Sequence, residues 1–109
     1  MNTGDIVIVL FPFKDLTSSK VRPAVIIAET PDYDDIIVCL ITSAIPFKLN
    51  PLEIVLQPDR INNLKTISLI KVYRIATIKS DKILSTIGKL NNLQEAEFRL
   101  KFKSIIDKR

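Results

Sequence analysis

Residues 4–28 have the sequence GDIVIVLFPFKDLTSSKVRPAVIIA, in which two apolar runs flank a polar segment. The first run, residues 5–11, is β-branched and shows little alternation, which is typical of a strand buried on both faces. Pro12 ends this run, and residues 14–21 carry the Asp, Thr and Ser side chains of a polar loop. A second strand is predicted over residues 22–28. This stretch therefore predicts a domain built mainly from β-strands.

The rest of the chain continues the pattern of short apolar segments separated by turn residues. Further strands are predicted over residues 36–42, 53–56, 67–73 and 86–90. Ser80 is predicted to cap a short helical turn over residues 81–84, and the proline-containing residues 43–51 are predicted to form a long loop. Several short strands followed by one helix are typical of a small SH3-like β-barrel. The expected fold is thus mainly β with a C-terminal helix, in a single domain over residues 1–109.

The helix is predicted to begin at Asn91 or Asn92, because Asn92 and Glu95 have the spacing of a capping box. Its apolar residues fall on two sides. Leu93, Ala96 and Leu100 lie on one side, and Phe98, Phe102, Ile105 and Ile106 lie nearer the other. Such a helix is expected to pack on its own barrel and on a partner.

The composition excludes several classes of protein. No run of about 18 apolar residues is present, so no membrane segment is expected. The first residues lack the features of a secretory signal, which predicts a cytoplasmic location. The single cysteine, Cys39, lies in an apolar run and is predicted to be a buried structural thiol. The sequence has no histidine and a single cysteine, so no zinc site is expected. No other cofactor is expected either.

Charge is distributed unevenly along the chain. Residues 1–60 carry five basic and eight acidic side chains, whereas residues 61–109 carry eleven basic and four acidic ones. The basic second half favours a polyanionic partner, either nucleic acid or an acidic protein. A solvated lysine-rich helix is the alternative interpretation of the same charges.

The ordered motifs along the whole chain resemble those of the PemK/MazF family of toxins. The resemblance rests on the Gly4-Asp5 strand opening, the polar loop and the Arg22-Pro23 strand opening. It continues through the third strand with its Thr42-Ser43 ending, and through residues 70–72 and 87–90 before the helix. It implies a PemK/MazF/CcdB-like barrel that forms a homodimer and binds single-stranded RNA along the dimer interface.

The resemblance also implies an activity, which is cleavage of messenger RNA without a metal. In this chemistry the ribose 2′-hydroxyl attacks the adjacent phosphate, leaving a 2′,3′-cyclic phosphate and a 5′-hydroxyl. The implied cellular partner is a cognate antitoxin whose acidic tail occupies the RNA groove.

Internal transesterification requires stabilisation of a dianionic phosphorane, and a guanidinium matches phosphate oxygens well. By its family position Arg22 is the first catalytic candidate; the alternative is a surface arginine that pairs with Asp15 or Asp5. Thr42 and Ser43 are the other catalytic candidates, since their hydroxyls can bind a phosphate oxygen or orient the 2′-hydroxyl. In isolation, these two residues would be read as strand-end caps.

RNA contacts are expected from loop cations and aromatic side chains. The candidates are Lys14, Lys20, Lys48 and Lys71 for phosphates, and Phe13, Phe47 and Tyr73 for stacking on unpaired bases. Phe13 and Phe47 can equally fill the core.

Two positions depart from the family pattern. Many relatives carry an Arg-x-Asp pair where this chain has Lys71 and Tyr73, and lysine cannot clamp a phosphate bidentately. This departure leaves open a non-catalytic module on the same barrel, such as a gyrase inhibitor or a nucleic-acid-binding domain.

Overall fold

Six antiparallel strands form one sheet in the computed structural model of the chain, which describes residues 1–12, 19–31 and 34–107. The strands are β1 (Asp5–Pro12), β2 (Ser19–Thr30), β3 (Asp35–Thr42), β4 (Glu53–Leu56), β5 (Ser68–Lys79) and β6 (Ile83–Lys89). Their order in the sheet is β4-β5-β3-β2-β1-β6. A 3-10 turn (Ser80–Lys82) precedes β6, and helix α1 (Asn92–Ile106) follows it.

The predicted strands are close to the observed ones where apolar runs are unbroken. β4 has the predicted bounds, and β1 and β3 are each longer by one residue. β2 begins earlier than predicted, because Lys20 and Val21 pair with Phe11 and Leu10 of β1 instead of belonging to the loop. The prediction of a mainly β domain with a C-terminal helix is confirmed.

The sheet is not closed into a barrel by backbone pairing of β4 with β6 in the described part of the chain. The segment after β4 occupies the gap between these two edge strands. The Asn62 side chain donates to the Gln57 carbonyl at 2.8 Å, and Lys89 N of β6 donates to the Ile61 carbonyl at 3.0 Å. A turn therefore satisfies backbone groups that strand pairing would otherwise have to satisfy.

The core consists of two clusters on the two faces of the sheet, since successive strand residues point to opposite faces. One cluster lies under the helix and contains Ile6, Val25, Cys39, Ile41, Ile54, Leu56, Ile70, Val72, Leu90 and Phe98. The other contains Val7, Val9, Ala24, Ile26, Ile36 and Val38. Burial on both faces explains why the strand sequences show little polar alternation.

Cys39 belongs to the first cluster and is fully buried, as predicted for a structural thiol. Its thiol donates to the Val72 carbonyl at 3.2 Å. Burial raises the pKa of this thiol to about 12, so it stays protonated at neutral pH.

β5 is interrupted by a large bulge that the sequence did not reveal. Cys39 of β3 pairs with Ile75, whereas Ile41 pairs with Ile70. Residues 71–74 of β5 thus lie opposite the single residue Leu40 and leave the β3 ladder. The predicted strand ends at residue 73, whereas β5 continues through the bulge and ends at Lys79.

The segment before β6 differs from its prediction. The helical turn covers Ser80–Lys82 rather than residues 81–84, and Ile83 and Leu84 belong to β6. Ser80 does not cap the turn, because Lys79 is at the N-cap position and the Ser80 hydroxyl donates to the Asp34 carboxylate instead.

The predicted capping box of α1 is wrong by one residue. Asn91 is the N-cap: its side chain accepts from Gln94 N at 2.8 Å, and the Gln94 side chain accepts from Asn91 N at 3.0 Å. Glu95 instead pairs with Arg99 one turn later, at 2.9 Å. The glutamine thus supplies the returning acceptor that the prediction assigned to the glutamate.

Only one side of α1 packs on the sheet. Phe98 is buried there, and Phe102 and Ile105 pack around the same cluster. Leu93 and Leu100 are exposed, as expected for the second side, whereas Ile106 is 75% exposed and does not belong to the packed side as predicted. No helix in the described part of the chain is long and apolar enough to cross a membrane.

Candidate active site

Arg22 lies on β2 opposite Val9 of β1, and its side chain is half-buried. Its guanidinium makes no hydrogen bond or ion pair with the residues that the structure describes. The alternative partner Asp5 accepts from Asn2 N at 2.9 Å instead, and Asp15 lies outside the described residues. Arg22 lines two clefts, which share Ile41 as well and together form the candidate site.

The large cleft has a volume of about 590 Å³. It brings together three of the predicted residues, Lys20, Arg22 and Ser43. Its remaining lining residues are Ile8, Val21, Pro23, Ile41, Asn63, Leu64, Lys65, Thr66, Ser68 and Ile87. The cleft therefore combines an apolar floor with cationic and hydroxyl groups, a composition suited to a base and its phosphate.

The small cleft has a volume of about 250 Å³ and lies where β5 leaves the β3 ladder. It brings together Arg22, Thr42 and Lys71 from the predicted set and adds Arg74, which sequence reasoning missed. Leu40 and Ile41 complete the lining. The bulge explains why Arg74 lines this cleft. It changes the alternation of side chains along β5, so that Lys71 and Arg74 both reach the small cleft.

Thr42 and Ser43 occupy the end of β3 as predicted. The Thr42 hydroxyl oxygen accepts a hydrogen bond from Ala44 N at 3.1 Å, which fixes the turn after the strand. No described residue accepts the hydrogen of this hydroxyl, so it is available to a ligand oxygen. Ser43 is exposed, and it lines the large cleft while Thr42 lines the small one.

Tyr73 lies on the bulge but lines neither cleft. Its hydroxyl donates to Glu53 Oε2 at 3.0 Å, and Asn50 N donates to Glu53 Oε1 at 3.0 Å. Glu53 is only 7% exposed and pairs with Lys71 across the β4–β5 ladder. The hydrogen bond from Asn50, together with that from Tyr73 and the charge of Lys71, lowers the pKa of Glu53 against the opposing effect of burial.

Sequence reasoning placed Glu53 in a strand and gave it no role. The signal was an acidic residue at the start of an otherwise apolar strand, where a buried carboxylate needs partners.

The remaining predicted contacts lie away from the two clefts or outside the described residues. Lys48 is exposed on the loop between β3 and β4 and lines neither cleft. Phe47 on the same loop is wholly exposed, so the interpretation that it fills the core is wrong. Phe13 and Lys14 lie outside the residues that the structure describes. In the described ranges no group of three metal-ligating side chains is found.

Several solved structures resemble the fold over nearly the whole chain. The MazE-MazF complex (Form-II) from Deinococcus radiodurans has a TM-score of 0.78 at 16% identity, covering 100% of this chain and 97% of that one. An endoribonuclease in complex with its cognate antitoxin from a mycobacterial species has a TM-score of 0.74 at 12% identity, covering 100% of this chain and 97% of that one. The Mycobacterium tuberculosis toxin MazF-mt6 has a TM-score of 0.70 at 20% identity, covering 93% of this chain and 96% of that one.

No curated protein matches the sequence. A family model does match, and it describes the PemK-like, MazF-like toxin of type II toxin-antitoxin systems over residues 2–106. Since this match covers nearly the whole chain, the protein belongs to the PemK-like, MazF-like toxin family of type II toxin–antitoxin systems.

Proposed function

We propose that this toxin is a metal-independent endoribonuclease that cleaves single-stranded messenger RNA in a sequence-selective manner. The observation that carries the proposal is the small cleft, where Arg22, Lys71 and Arg74 meet the Thr42 hydroxyl. None of these three cations has an ion pair within the described residues. A concentration of unpaired positive charge beside a hydroxyl is suited to a phosphodiester.

The proposed reaction is attack of the ribose 2′-hydroxyl on the adjacent phosphorus, with departure of the 5′-oxygen of the next nucleotide. The products are a 2′,3′-cyclic phosphate and a 5′-hydroxyl. Arg22 stabilises the dianionic phosphorane, because its planar fork matches two phosphate oxygens. Lys71 and Arg74 add positive charge on the other side of the cleft, and Thr42 orients a phosphate oxygen or the 2′-hydroxyl.

The large cleft extends the binding surface from the reacting phosphate to a neighbouring nucleotide. Lys20 and Ser43 contact the RNA backbone, and the apolar floor accepts a base. Lys14, Phe13, Lys48 and Tyr73 are further RNA contacts in this proposal. The full exposure of Phe47 next to Lys48 supports a stacking role for the β3–β4 loop.

A cognate antitoxin with an acidic segment is the proposed protein partner. Two of the similar structures are toxin–antitoxin complexes. The unpaired cations of both clefts would attract carboxylates for the same reason that they attract phosphates. We further propose a homodimer in the cytoplasm, and the exposed Leu93 and Leu100 of α1 support an apolar contact between molecules.

The test of the activity is cleavage of single-stranded RNA in excess EDTA by the purified protein. Arg22→Ala should abolish cleavage while its unfolding transition stays close to that of the wild type. The matched control is Arg99→Ala, since Arg99 lies on α1 and its ion pair within the described residues is with Glu95. Cleavage that requires a divalent metal, or full activity in Arg22→Ala, would contradict the proposal.

A second candidate is a non-catalytic toxin on the same scaffold. It is favoured by Tyr73, which stands in place of an acidic residue and whose hydroxyl is engaged by Glu53. RNA binding without cleavage, or arrest of purified gyrase, would support this candidate over the nuclease.

A further inference from the structure

Residues 71–74 include Lys71 and Arg74, two of the cations that line the small cleft. None of these four residues pairs with β3, and only Leu40, which has no partner in this ladder, lies opposite them. A bulge of this size has few backbone restraints, yet Lys71 and Arg74 must lie at a fixed distance from Arg22 and Thr42 to act on the same phosphate.

The restraints on the bulge come from the opposite side, through β4. Val72 N donates to the Leu52 carbonyl at 3.0 Å, and Glu53 pairs with Lys71 in the ladder. The side chain of Glu53 then reaches Tyr73, whose hydroxyl donates to it at 3.0 Å. Glu53 is thus tied to two of the four bulge residues.

The same carboxylate also fixes the loop that precedes β4. Its second oxygen accepts from Asn50 N at 3.0 Å, and the Glu53 backbone carbonyl accepts from Lys101 Nζ of α1 at 3.3 Å. Both carboxylate oxygens are therefore engaged by the protein itself. Lys71 is near enough to favour the charged form of Glu53 but forms no ion pair with it, so its ammonium remains available in the cleft.

We propose that Glu53 is a positioning residue of the nuclease site: it holds the bulge through Tyr73 and thereby sets Lys71 and Arg74 opposite Arg22 and Thr42. This inference rests on the proposed function. Glu53 is not assigned the role of general base, since its oxygens are occupied and its environment favours the carboxylate over the protonated acid. Its contribution is geometric, and a misplacement of about 1 Å can cost up to about 100-fold in rate.

The test compares Glu53→Gln and Tyr73→Phe with the wild type in the full chain. Glu53→Gln removes a negative charge next to Lys71, so electrostatics alone would tighten the binding of a polyanion. A positioning role predicts a loss instead: kcat on single-stranded RNA should fall about tenfold, with a smaller change in KM. Tyr73→Phe keeps the ring and the net charge but loses the same hydrogen bond, so it should show the same loss.

The double variant decides whether the two residues act together. If they share one interaction, Glu53→Gln/Tyr73→Phe should be no slower than the slower single variant. Glu29→Gln is the matched control, because it removes the same charge from a carboxylate that pairs with the N-terminus. The proposal would be overturned if the losses of kcat in the two single variants multiplied in the double variant, or if Tyr73→Phe had the kcat of the wild type. If Glu53→Gln does not fold, Tyr73→Phe decides the question.

A second measurement separates this inference from the proposed function. A fluorescent single-stranded oligodeoxynucleotide lacks the 2′-hydroxyl and cannot be cleaved by this reaction, so its affinity reports on the site without turnover. We expect both variants to bind it more weakly than the wild type and Glu29→Gln do. If the wild type leaves RNA intact in EDTA, the proposed function fails, but the affinity for the oligodeoxynucleotide still tests the role of Glu53. If Glu53→Gln binds the oligodeoxynucleotide more tightly than the wild type, the inference about Glu53 is overturned and the proposed function is not.

Discussion

At the scale of single residues, the site is defined by which charges are paired and which are not. Arg99, Lys101 and Lys103 of α1 each pair with a carboxylate four residues away. Arg22 and Lys71, in contrast, form no ion pair with a carboxylate within the described residues. Surface pairs of the first kind contribute little to stability, whereas unpaired cations around a concave surface are available to an anion.

Glu53 provides a residue-scale prediction on pH. Because its folded-state pKa is lowered, the stability it contributes is present above the usual glutamate value of about 4.3 and is lost as the pH falls through the folded value. The free energy of unfolding should therefore depend less steeply on pH in Glu53→Gln than in the wild type below about pH 5. Urea unfolding at several acidic pH values measures this, and parallel curves for the two proteins would contradict it.

At the scale of secondary-structure elements, close backbone approach and capping determine which sequences are tolerated. Gly88 lets the turn over residues 59–63 approach β6, since a Cβ at this position would lie 2.3 Å from the Ile61 carbonyl oxygen. That oxygen accepts the hydrogen bond from Lys89 N. The turn that fills the gap between β4 and β6 thus depends on a residue without a side chain.

Gly88→Ala should destabilise the fold by about 1–3 kcal/mol, because backbone atoms must move to make room for the methyl group. Chemical denaturation measures the loss. Ser85→Ala, at an exposed position of the same strand, serves as the control and should change stability by less than about 0.5 kcal/mol. Equal stability of the two variants would show that the turn does not pack as described.

The helix start gives a second prediction at this scale. Asn91→Ala removes the side-chain acceptor of Gln94 N, which is one half of the observed capping box, and should cost about 1 kcal/mol. Asn92→Ala should cost less, because Asn92 is exposed and has no capping role. Thermal unfolding of the two variants checks the assignment. A larger loss of stability for Asn92→Ala would contradict it and favour the capping box of Asn92 and Glu95 that the sequence predicts.

The strands and the site differ in how far they follow from sequence. β1, β3 and β4 are mostly apolar runs, and their bounds follow from the sequence to within one residue. The bulge in β5 does not, because it arises from pairing with β4 and β3 at once, and pairing between distant segments is invisible in local pattern. Arg22, Thr42 and Lys71 can be singled out because they lie at positions of the family motifs. Arg74 joins the site only through the bulge, and Glu53 is marked only as an acidic residue at the start of an apolar strand.

At the scale of the whole molecule, the fold brings the end of β3, the opening of β2 and the bulge of β5 to one surface. The resulting clefts draw cations from both halves of the sequence, although the second half carries most of the basic charge. The acidic first half supplies the buried carboxylate that organises the bulge. The uneven charge along the chain therefore becomes a local concentration of positive charge only after folding.

The most direct test of the proposed nuclease is the chemistry of the new RNA ends. Single-stranded RNA is incubated with the purified toxin in excess EDTA, and the fragments are treated with polynucleotide kinase and labelled ATP without prior phosphatase. Attack by the 2′-hydroxyl predicts 5′-hydroxyl ends that accept the label at once, and their absence from the Arg22→Ala reaction. Fragments that accept label only after phosphatase treatment, or RNA left intact by the wild type, would contradict the proposal.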